Sequence, residues 1–296
     1  NEKDVDSSVS EFIDKYEEQD DFVKLANDIE KKSSKAIKSD KDLEKYVNKL
    51  NDKVIPKWLN HYKKAQEEEQ KKKEEPRKPY GFIAVSIGEG LGEIFKGIGA
   101  DYLIEGGQTM NPSTEDMLNA IDKVNADVIY ILPNNKNIIL AAEQAKSLVE
   151  DKKILVVPSK TVPQGIAALI NFMPDASPEE NMESMTEEMG RIRTGQITYA
   201  VRNTTIDGME IREGNIMGIG DSGMLAVGES VAETTVETIR RMADQDAELI
   251  SIYYGADVTE DEAETLAEQV RAQFPDCEVE LNDGGQPIYY YLLSVE

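Results

Sequence analysis

The spacing of apolar residues divides the 296-residue chain into two parts. In residues 1–73 apolar side chains recur every three or four positions, as in the run from Leu43 to Tyr62, which is typical of amphipathic helices. From Tyr80 onward, short β-branched runs alternate with helical stretches. Between the two parts lies a charged run that ends in two prolines, QEEEQKKKEEPRKP. The pattern predicts a helical segment over 1–73 and a linker over 74–79.

The alternation after the linker predicts an α/β fold. Four strand–helix pairs in about 90 residues favour a parallel sheet with right-handed crossovers and helices on its faces. Strands are expected at Phe82–Ile87, Asp101–Ile104, Asp127–Leu132 and Ile154–Val157. Further strands are expected at Ile197–Val201 and Met209–Ile219, with a turn at Asp207-Gly208. This α/β domain is predicted to cover residues 80–244.

The last 52 residues, 245–296, are predicted to form a smaller β-α-β-β subdomain. Its first strand is Leu249–Tyr254, and a helix extends to Phe274. The last two strands, Cys277–Leu281 and Pro287–Val295, are expected to be joined through the turn Asn282-Asp-Gly-Gly285.

Helix starts are the clearest local signals in the chain. Ser177-Pro-Glu-Glu180 supplies a cap, a proline at the first helical position and acids in the first turn. Thr259-Glu-Asp-Glu262 has the spacing of a capping box. A helix is also expected to begin at Ser230. After Ser177, a stripe of methionines with Ile192 predicts a face directed at the core, with contact to a partner as the alternative.

Two polar turns between Gly106 and Asn137 are the candidate functional site. Each follows a predicted strand and opens a helix, so both are expected at the carboxyl ends of parallel strands, where ligands bind in open α/β sheets. The candidate residues are Gln108, Thr109, Asn111 and Ser113 in the first turn, and Asn134, Asn135 and Asn137 in the second. Helix capping by Ser113 or an asparagine is the structural alternative.

Charge is distributed very unevenly. The chain carries a net charge of −25, but residues 1–78 hold 19 basic and 20 acidic residues, which leaves a net charge of −24 on the remainder. Repulsion from phosphates therefore disfavours nucleic acid as a partner, and a protein with a basic face is favoured. The helix Glu179–Glu188 is the candidate acidic contact, with Glu179, Glu180 and Glu183 as its contact residues.

Other classes of function lack the residues that they need. The chain has one cysteine, Cys277, and one histidine, His61, so a disulfide, a zinc site and a Cys-His pair are disfavoured. The chain has no run of 18 apolar residues, so the sequence predicts no transmembrane helix, and no signal peptide is visible. Both observations favour a cytoplasmic location. The first residue is Asn1, which indicates a fragment or a processed form. The turn Gly88-x-Gly90-x-Gly92 lacks dinucleotide-site spacing, and Glu89 would repel a pyrophosphate.

Residues 80–296 resemble the C-terminal domain of the bacterial fatty acid kinase A subunit, which is a dihydroxyacetone-kinase-like protein of Gram-positive bacteria. The resemblance rests on the stretches GFIAVSIGEGLGEIFKGIGADYLIEGGQTMNPST, LPNNKNIILAAEQA, VVPSKTVPQGIAAL and TGQITYAVR. That domain is similar to DegV-type fatty acid binding proteins, in which hydroxyl groups of two turns hold the fatty acid carboxylate. Thr109-Met-Asn-Pro-Ser113 resembles the first of those turns, whereas Asn134-Asn-Lys-Asn-Ile138 lacks the hydroxyl groups of the second.

The resemblance implies a protein-interaction domain without catalytic residues or a metal of its own. Its partner would be the acyl-carrying B subunit, whose fatty acid is converted to acyl phosphate for phospholipid synthesis. ATP and Mg²⁺ would be bound by a separate kinase domain that is not recognisable in this chain. The alternative is a DegV-like domain that itself binds a fatty acid or a small carboxylate. An enzyme acting alone is disfavoured because no base–nucleophile pair or metal set is recognisable.

Overall fold

The computed structural model describes residues 76–107 and 111–296, together with Val47, Asn48 and Pro56, which are helical. The chain divides into two compact units, Asn1–Pro76 and Arg77–Glu296. Most of the predicted helical segment lies outside the described residues, as do the candidate site residues Gln108 and Thr109. Lys78, which was assigned to the predicted linker, is the first residue of the first strand.

Four parallel strands form the first sheet of the larger unit, as predicted. In chain order its strands and helices are β1 Lys78–Ser86, α1 Glu89–Gly97, β2 Tyr102–Glu105, α2 Thr114–Lys123, β3 Ala126–Leu132, α3 Ile139–Leu148, β4 Lys153–Val156, α4 Val162–Ile170 and α5 Pro178–Arg191. The strand order in the sheet is β2-β1-β3-β4. Helices therefore connect each strand to the next one along the chain.

Both faces of this sheet are buried, which explains why its strands are continuous apolar runs. Successive side chains of a strand point to opposite faces. Ile83 and Val85 of β1 therefore join a core with α2 and α3, whereas Phe82 and Ala84 join a second core with α1, α4 and α5. The predicted methionine stripe is part of the second core, with Met185 fully buried.

The remaining strands form a second, mixed sheet and a separate hairpin. The bounds are β5 Arg193–Tyr199, β6 Thr204–Ile206, β7 Met209–Ile211, β8 Ile216–Gly220, β9 Gly223–Gly228, α6 Val231–Met242, β10 Leu249–Tyr254, α7 Glu260–Gln273, β11 Glu278–Asp283 and β12 Tyr291–Val295. The six-stranded sheet has the order β11-β10-β12-β5-β8-β9. Only β10 and β11 are parallel; the other neighbours are antiparallel. The hairpin β6–β7 has its turn at Asp207-Gly208, as predicted.

The second sheet packs on both of its faces as well. Helices α6 and α7 cover one face, where Ile239 and Leu266 meet Ile252 and Leu293 in a third core. On the opposite face, Leu292 joins the second core of the first sheet. Because the two sheets share a core, the parallel and the mixed sheet are parts of one packed body.

The structure corrects the predicted arrangement of residues 245–296. Strands β10, β11 and β12 form half of the six-stranded sheet instead of a small sheet of their own. The last two strands follow one another along the chain as predicted, but they do not pair with each other, because β11 and β12 lie on opposite sides of β10. The strand expected over Met209–Ile219 is two strands, β7 and β8, and β9 was not predicted.

The turn Gly88-x-Gly90-x-Gly92 has a packing role in this fold. It lies against the loop between β11 and β12, where Leu91 N donates to Gly284 O at 3.0 Å. A Cβ atom on Gly90 would lie 2.1 Å from Asp283 O, and one on Gly88 would lie 2.4 Å from Gly284 O. Close backbone contact between the two sheets thus accounts for Gly88 and Gly90.

Candidate functional site

A polar cleft lies where the carboxyl ends of β3 and β4 face the β5–β8 part of the second sheet. Its volume is about 320 Å³. From the first sheet come the turn after β3 and the start of α4, and from the second sheet come β5 and the turn after β8. We call this the polar cleft; its lining residues are Asn135, Lys136, Asn137, Lys160, Thr161, Gln164, Thr194, Gln196, Ile219, Gly220, Asp221 and Tyr289.

Asn134, a predicted site residue, is a buried structural residue and not part of the cleft lining. Its side chain donates from Nδ2 to Val85 O at 2.9 Å and accepts at Oδ1 from Ser159 Oγ at 2.8 Å. Its backbone N donates to the same hydroxyl at 3.1 Å. Asn134 is 5% exposed and has a φ of 55°, a conformation that asparagine tolerates better than most residues. Asn134 therefore links the turn after β3 to the end of β1 and to the turn after β4 through hydrogen bonds.

The other asparagines of this turn do line the polar cleft. Asn135 Nδ2 donates to Gly107 O, which links the turn after β3 to the turn after β2. Asn135 Oδ1 accepts from Asn137 N at 2.9 Å. Two predicted candidates, Asn135 and Asn137, are thus placed where a ligand in the cleft would contact them, but the Asn135 amide already bonds within the protein.

The first polar turn serves as a helix cap in the described residues. Ser113 Oγ accepts from Asp116 N at 3.2 Å, and Ser113 N donates to Asp116 Oδ2 at 2.7 Å, which completes a capping box for α2. The Ser113 hydroxyl also donates to Asp116 Oδ2 at 2.7 Å, and this bond, followed by the one from Ser113 N, holds the pKa of the Asp116 carboxyl below its usual range. Asn111 is exposed and, like Ser113, does not line the polar cleft.

Two lysines give the polar cleft a positive character within a strongly acidic part of the chain. Lys136 follows β3 and Lys160 follows β4. Thr161 caps α4 by accepting from Gln164 N, and both residues line the cleft, so the amino end of that helix faces it. Cations and a helix amino terminus both favour an anion.

One carboxylate in the polar cleft is already held by hydrogen bonds. Asp221 accepts from Thr194 N and from Thr194 Oγ1, both at 2.7 Å. Sequence reasoning missed Lys160 and Asp221. The rule that ligands gather at strand carboxyl ends would have pointed to Lys160, which follows β4. No local signal pointed to Asp221, because it lies in the turn before the unpredicted strand β9.

The acidic candidates lie away from the polar cleft. Glu179, in the first turn of α5, accepts from Lys153 Nζ, and Lys153 is the first residue of β4. Glu180 completes the capping box, because its Oε2 accepts from Ser177 N at 2.8 Å. Glu183 is exposed one turn later. These acids therefore start at the amino end of β4, whereas the cleft lies beyond the carboxyl ends of the strands.

The fold is that of DegV-type fatty acid binding proteins. DegV family protein Cg2579 from Corynebacterium glutamicum superposes with a TM-score of 0.54 at 15% identity, covering 73% of this chain and 97% of that one. The fatty acid kinase B3 protein of Streptococcus pneumoniae, solved with linoleic acid, superposes with a TM-score of 0.51 at 12% identity, covering 74% and 99%. Identity this low shows the fold and nothing further.

The chain belongs to the FakA-like C-terminal family, the C-terminal domains of proteins like the A component of fatty acid kinase, and this family matches residues 81–296. Protein YloV of Bacillus subtilis is 43% identical over 234 residues, 78% of this chain and 42% of that protein. Protein SH1689 of Staphylococcus haemolyticus is 41% identical over 238 residues, 80% of this chain and 42% of that protein. The chain thus spans about two fifths of the length of these relatives. No helix among the described residues is long and apolar enough to cross a membrane.

Proposed function

We propose that residues 81–296 are the docking domain of a fatty acid kinase, which binds the acyl-carrying fatty acid binding subunit of that enzyme. The domain itself performs no chemistry in this proposal. It holds the carrier so that a separate ATP-binding domain can phosphorylate the fatty acid. The family match supports the connection to the kinase, and the chain's partial coverage of its relatives leaves room for the ATP-binding domain elsewhere.

The observation that carries this proposal is the aromatic packing of the second core, in the described part of a fold otherwise like that of the carriers. An acyl chain needs an apolar cavity, since ligand pockets are lined mainly by hydrophobic side chains. Here the core on the α4–α5 side of the first sheet contains a cluster of four aromatic rings. Phe82 stacks on Tyr130 with ring centroids 5.5 Å apart, and Phe172 meets both edge-on at 4.7 and 5.7 Å. Tyr80 closes the cluster against Phe172 at 5.1 Å.

Calorimetric titration of the full 296-residue chain with the acyl-loaded carrier tests the docking proposal. We expect binding at low ionic strength that weakens as salt is added, because exposed charges are screened beyond about 8 Å at physiological ionic strength. The same carrier stripped of its fatty acid is the control for recognition of the loaded form. Absence of binding to the loaded carrier at low salt would refute the proposal.

A second candidate function is binding of a small anion, such as a carboxylate or a phosphate, in the polar cleft. Lys136, Lys160 and the amino end of α4 favour it. Titration with inorganic phosphate and with acetate, followed by NMR, tests this candidate. We expect saturable shifts that Lys160→Ala abolishes and that Lys146→Ala, on the outer helix α3, leaves intact. Unchanged spectra at millimolar ligand would eliminate it.

A further inference from the structure

A second surface of the domain combines the open edge of the first sheet with the acidic face of α5. β4 is the last strand in the order β2-β1-β3-β4, and among the described residues no strand pairs with its outer side. Between β4 and α5 lies an open groove of about 590 Å³. We call this the edge groove; its lining residues are Leu155, Glu179, Met182, Glu183, Thr186 and Glu187.

The floor of the edge groove is apolar and its rim is acidic. Leu155 and Met182 are partly buried and pack against the second core. Glu179, Glu183 and Glu187 are exposed and follow one another at four-residue intervals, which places them on one face of α5. An apolar floor beside a row of carboxylates is a surface for an apolar chain that also carries positive charges.

The rim glutamates remain available to a partner although two of them already pair with cations of this chain. Glu179 pairs with Lys153, and Glu187 pairs with Arg191 at 2.6 Å. Pairs between exposed side chains contribute little, so a partner's cation can replace them at small cost. Glu183 has no ion pair among the described residues and lies between the other two carboxylates.

We propose that the edge groove seats an extended, basic segment of the partner protein, which adds to β4 as a fifth strand. This proposal rests on the proposed function and names the docking face. An open edge strand presents unpaired N–H and C=O groups, and strand addition satisfies them. Lysine and arginine stems can cover Leu155 and Met182 while their charged ends reach the glutamates. Methionine suits such a surface because its side chain adapts to what it contacts.

The edge groove and the polar cleft differ in the sign of the net charge of their lining residues. Lys136 and Lys160 in the cleft would repel a basic segment, whereas the edge groove is lined by three carboxylates, two of which pair with Lys153 and Arg191. The part of the chain after residue 78 has a net charge of −24, which steers a basic partner toward it. The groove combines this charge with a free sheet edge.

A matched pair of charge reversals in the full chain tests the edge groove. Glu183→Lys places a cation in the middle of the rim, and Glu268→Lys makes the same change on the exposed face of α7. Both are titrated with the acyl-loaded carrier. We expect Glu183→Lys to weaken binding by about tenfold or more, because like charges across an interface are strongly unfavourable, and Glu268→Lys to change it by less than about twofold. Thermal unfolding confirms that both variants fold.

Hydrogen exchange supplies the second readout, because it reports on the backbone. We expect amides in residues 153–156 to exchange more slowly when the carrier is bound, and amides of β11, the edge of the other sheet, to be unaffected. Equal affinities for the two variants, or unchanged exchange at 153–156 in a complex that does form, would overturn the edge groove while docking stands. Concentration-dependent self-association that Glu183→Lys abolishes would also overturn it, since the occupant would then be a second copy of the chain. Failure of the unmodified chain to bind refutes the docking function itself.

Discussion

Replacing Asn134 by alanine tests whether this residue stabilises the fold or serves as a binding residue. The substitution removes the amide that donates to Val85 O and accepts from Ser159 Oγ. Each buried polar group left without a partner costs about 1–3 kcal/mol. Alanine at a φ of 55° adds about 1 kcal/mol of backbone strain. We expect the free energy of unfolding to fall by about 3–5 kcal/mol.

Urea and thermal denaturation, followed by circular dichroism, measure this loss. For a unit of this size, about 1 kcal/mol lowers the melting temperature by about 2–4 °C, so the variant should melt about 10 °C earlier. Asn137→Ala is the control, because this exposed asparagine lies in the same turn and only its backbone N–H makes a hydrogen bond there. It should lose less than about 0.5 kcal/mol.

A double substitution sharpens the test. Ser159→Ala removes the hydroxyl that bonds to both Asn134 Oδ1 and Asn134 N. Because the two residues share these bonds, the combined loss should be smaller than the sum of the single losses by about 1 kcal/mol. A loss below about 1 kcal/mol for Asn134→Ala, or a loss equal to that of Asn137→Ala, would refute the structural role. Weakened carrier binding at unchanged stability would restore Asn134 as a contact residue.

Three further predictions concern other parts of the domain. Gly90→Ala should lower the free energy of unfolding by about 1–3 kcal/mol, because its Cβ atom would meet the backbone carbonyl of Asp283. Gly97→Ala is the control and should be neutral or stabilising, because the space around Gly97 is open. Equal effects of the two substitutions in urea denaturation would contradict this. Ser177→Ala should cost about 1 kcal/mol at pH 7. The Ser177 hydroxyl donates to Glu180 Oε2 at 2.7 Å and holds the pKa of that carboxyl below its usual range, so the bond stabilises the fold above the ordinary pKa and is lost as the pH falls through the lowered one; a cost independent of pH between about 7 and 3 would contradict the assignment. Burial raises the pKa of the Cys277 thiol, so a thiol reagent at about pH 8 should modify the folded chain more slowly than free cysteine, and equal rates would contradict the burial.

Local features of this fold were predictable from the sequence. The capping boxes at Ser177 and Thr259 involve residues three positions apart, so their geometry follows from the helix start itself. The four parallel strands were predictable because both faces of the first sheet are buried, and the strands are therefore uniformly apolar. The bounds of β10, Leu249–Tyr254, were predicted correctly because this strand of the second sheet is also largely buried and apolar.

Pairing between distant segments was not predictable. The loop at 282–285 has the composition of a hairpin turn, but β10 occupies the position between β11 and β12, and no local pattern reveals this. Strand β9 begins and ends in glycine, which hides its short apolar run. The polar cleft needs residues from both sheets, so only the parts that follow β3 and β4 could be predicted from the sequence. The buried role of Asn134 was hidden because its partners lie 49 and 25 residues away in sequence.

The position of β12 between β10 and β5 sets an order of events during translation. All four strands of the parallel sheet lie within residues 78–156 and are therefore made well before the mixed sheet is complete. The mixed sheet cannot close until residues 291–295 have been made, because they join its two halves. Until then β5 and β10 each expose an unpaired edge, which is a template for unwanted association. The interval in which these two edges stay unpaired thus lasts until the final residues of the chain have been made.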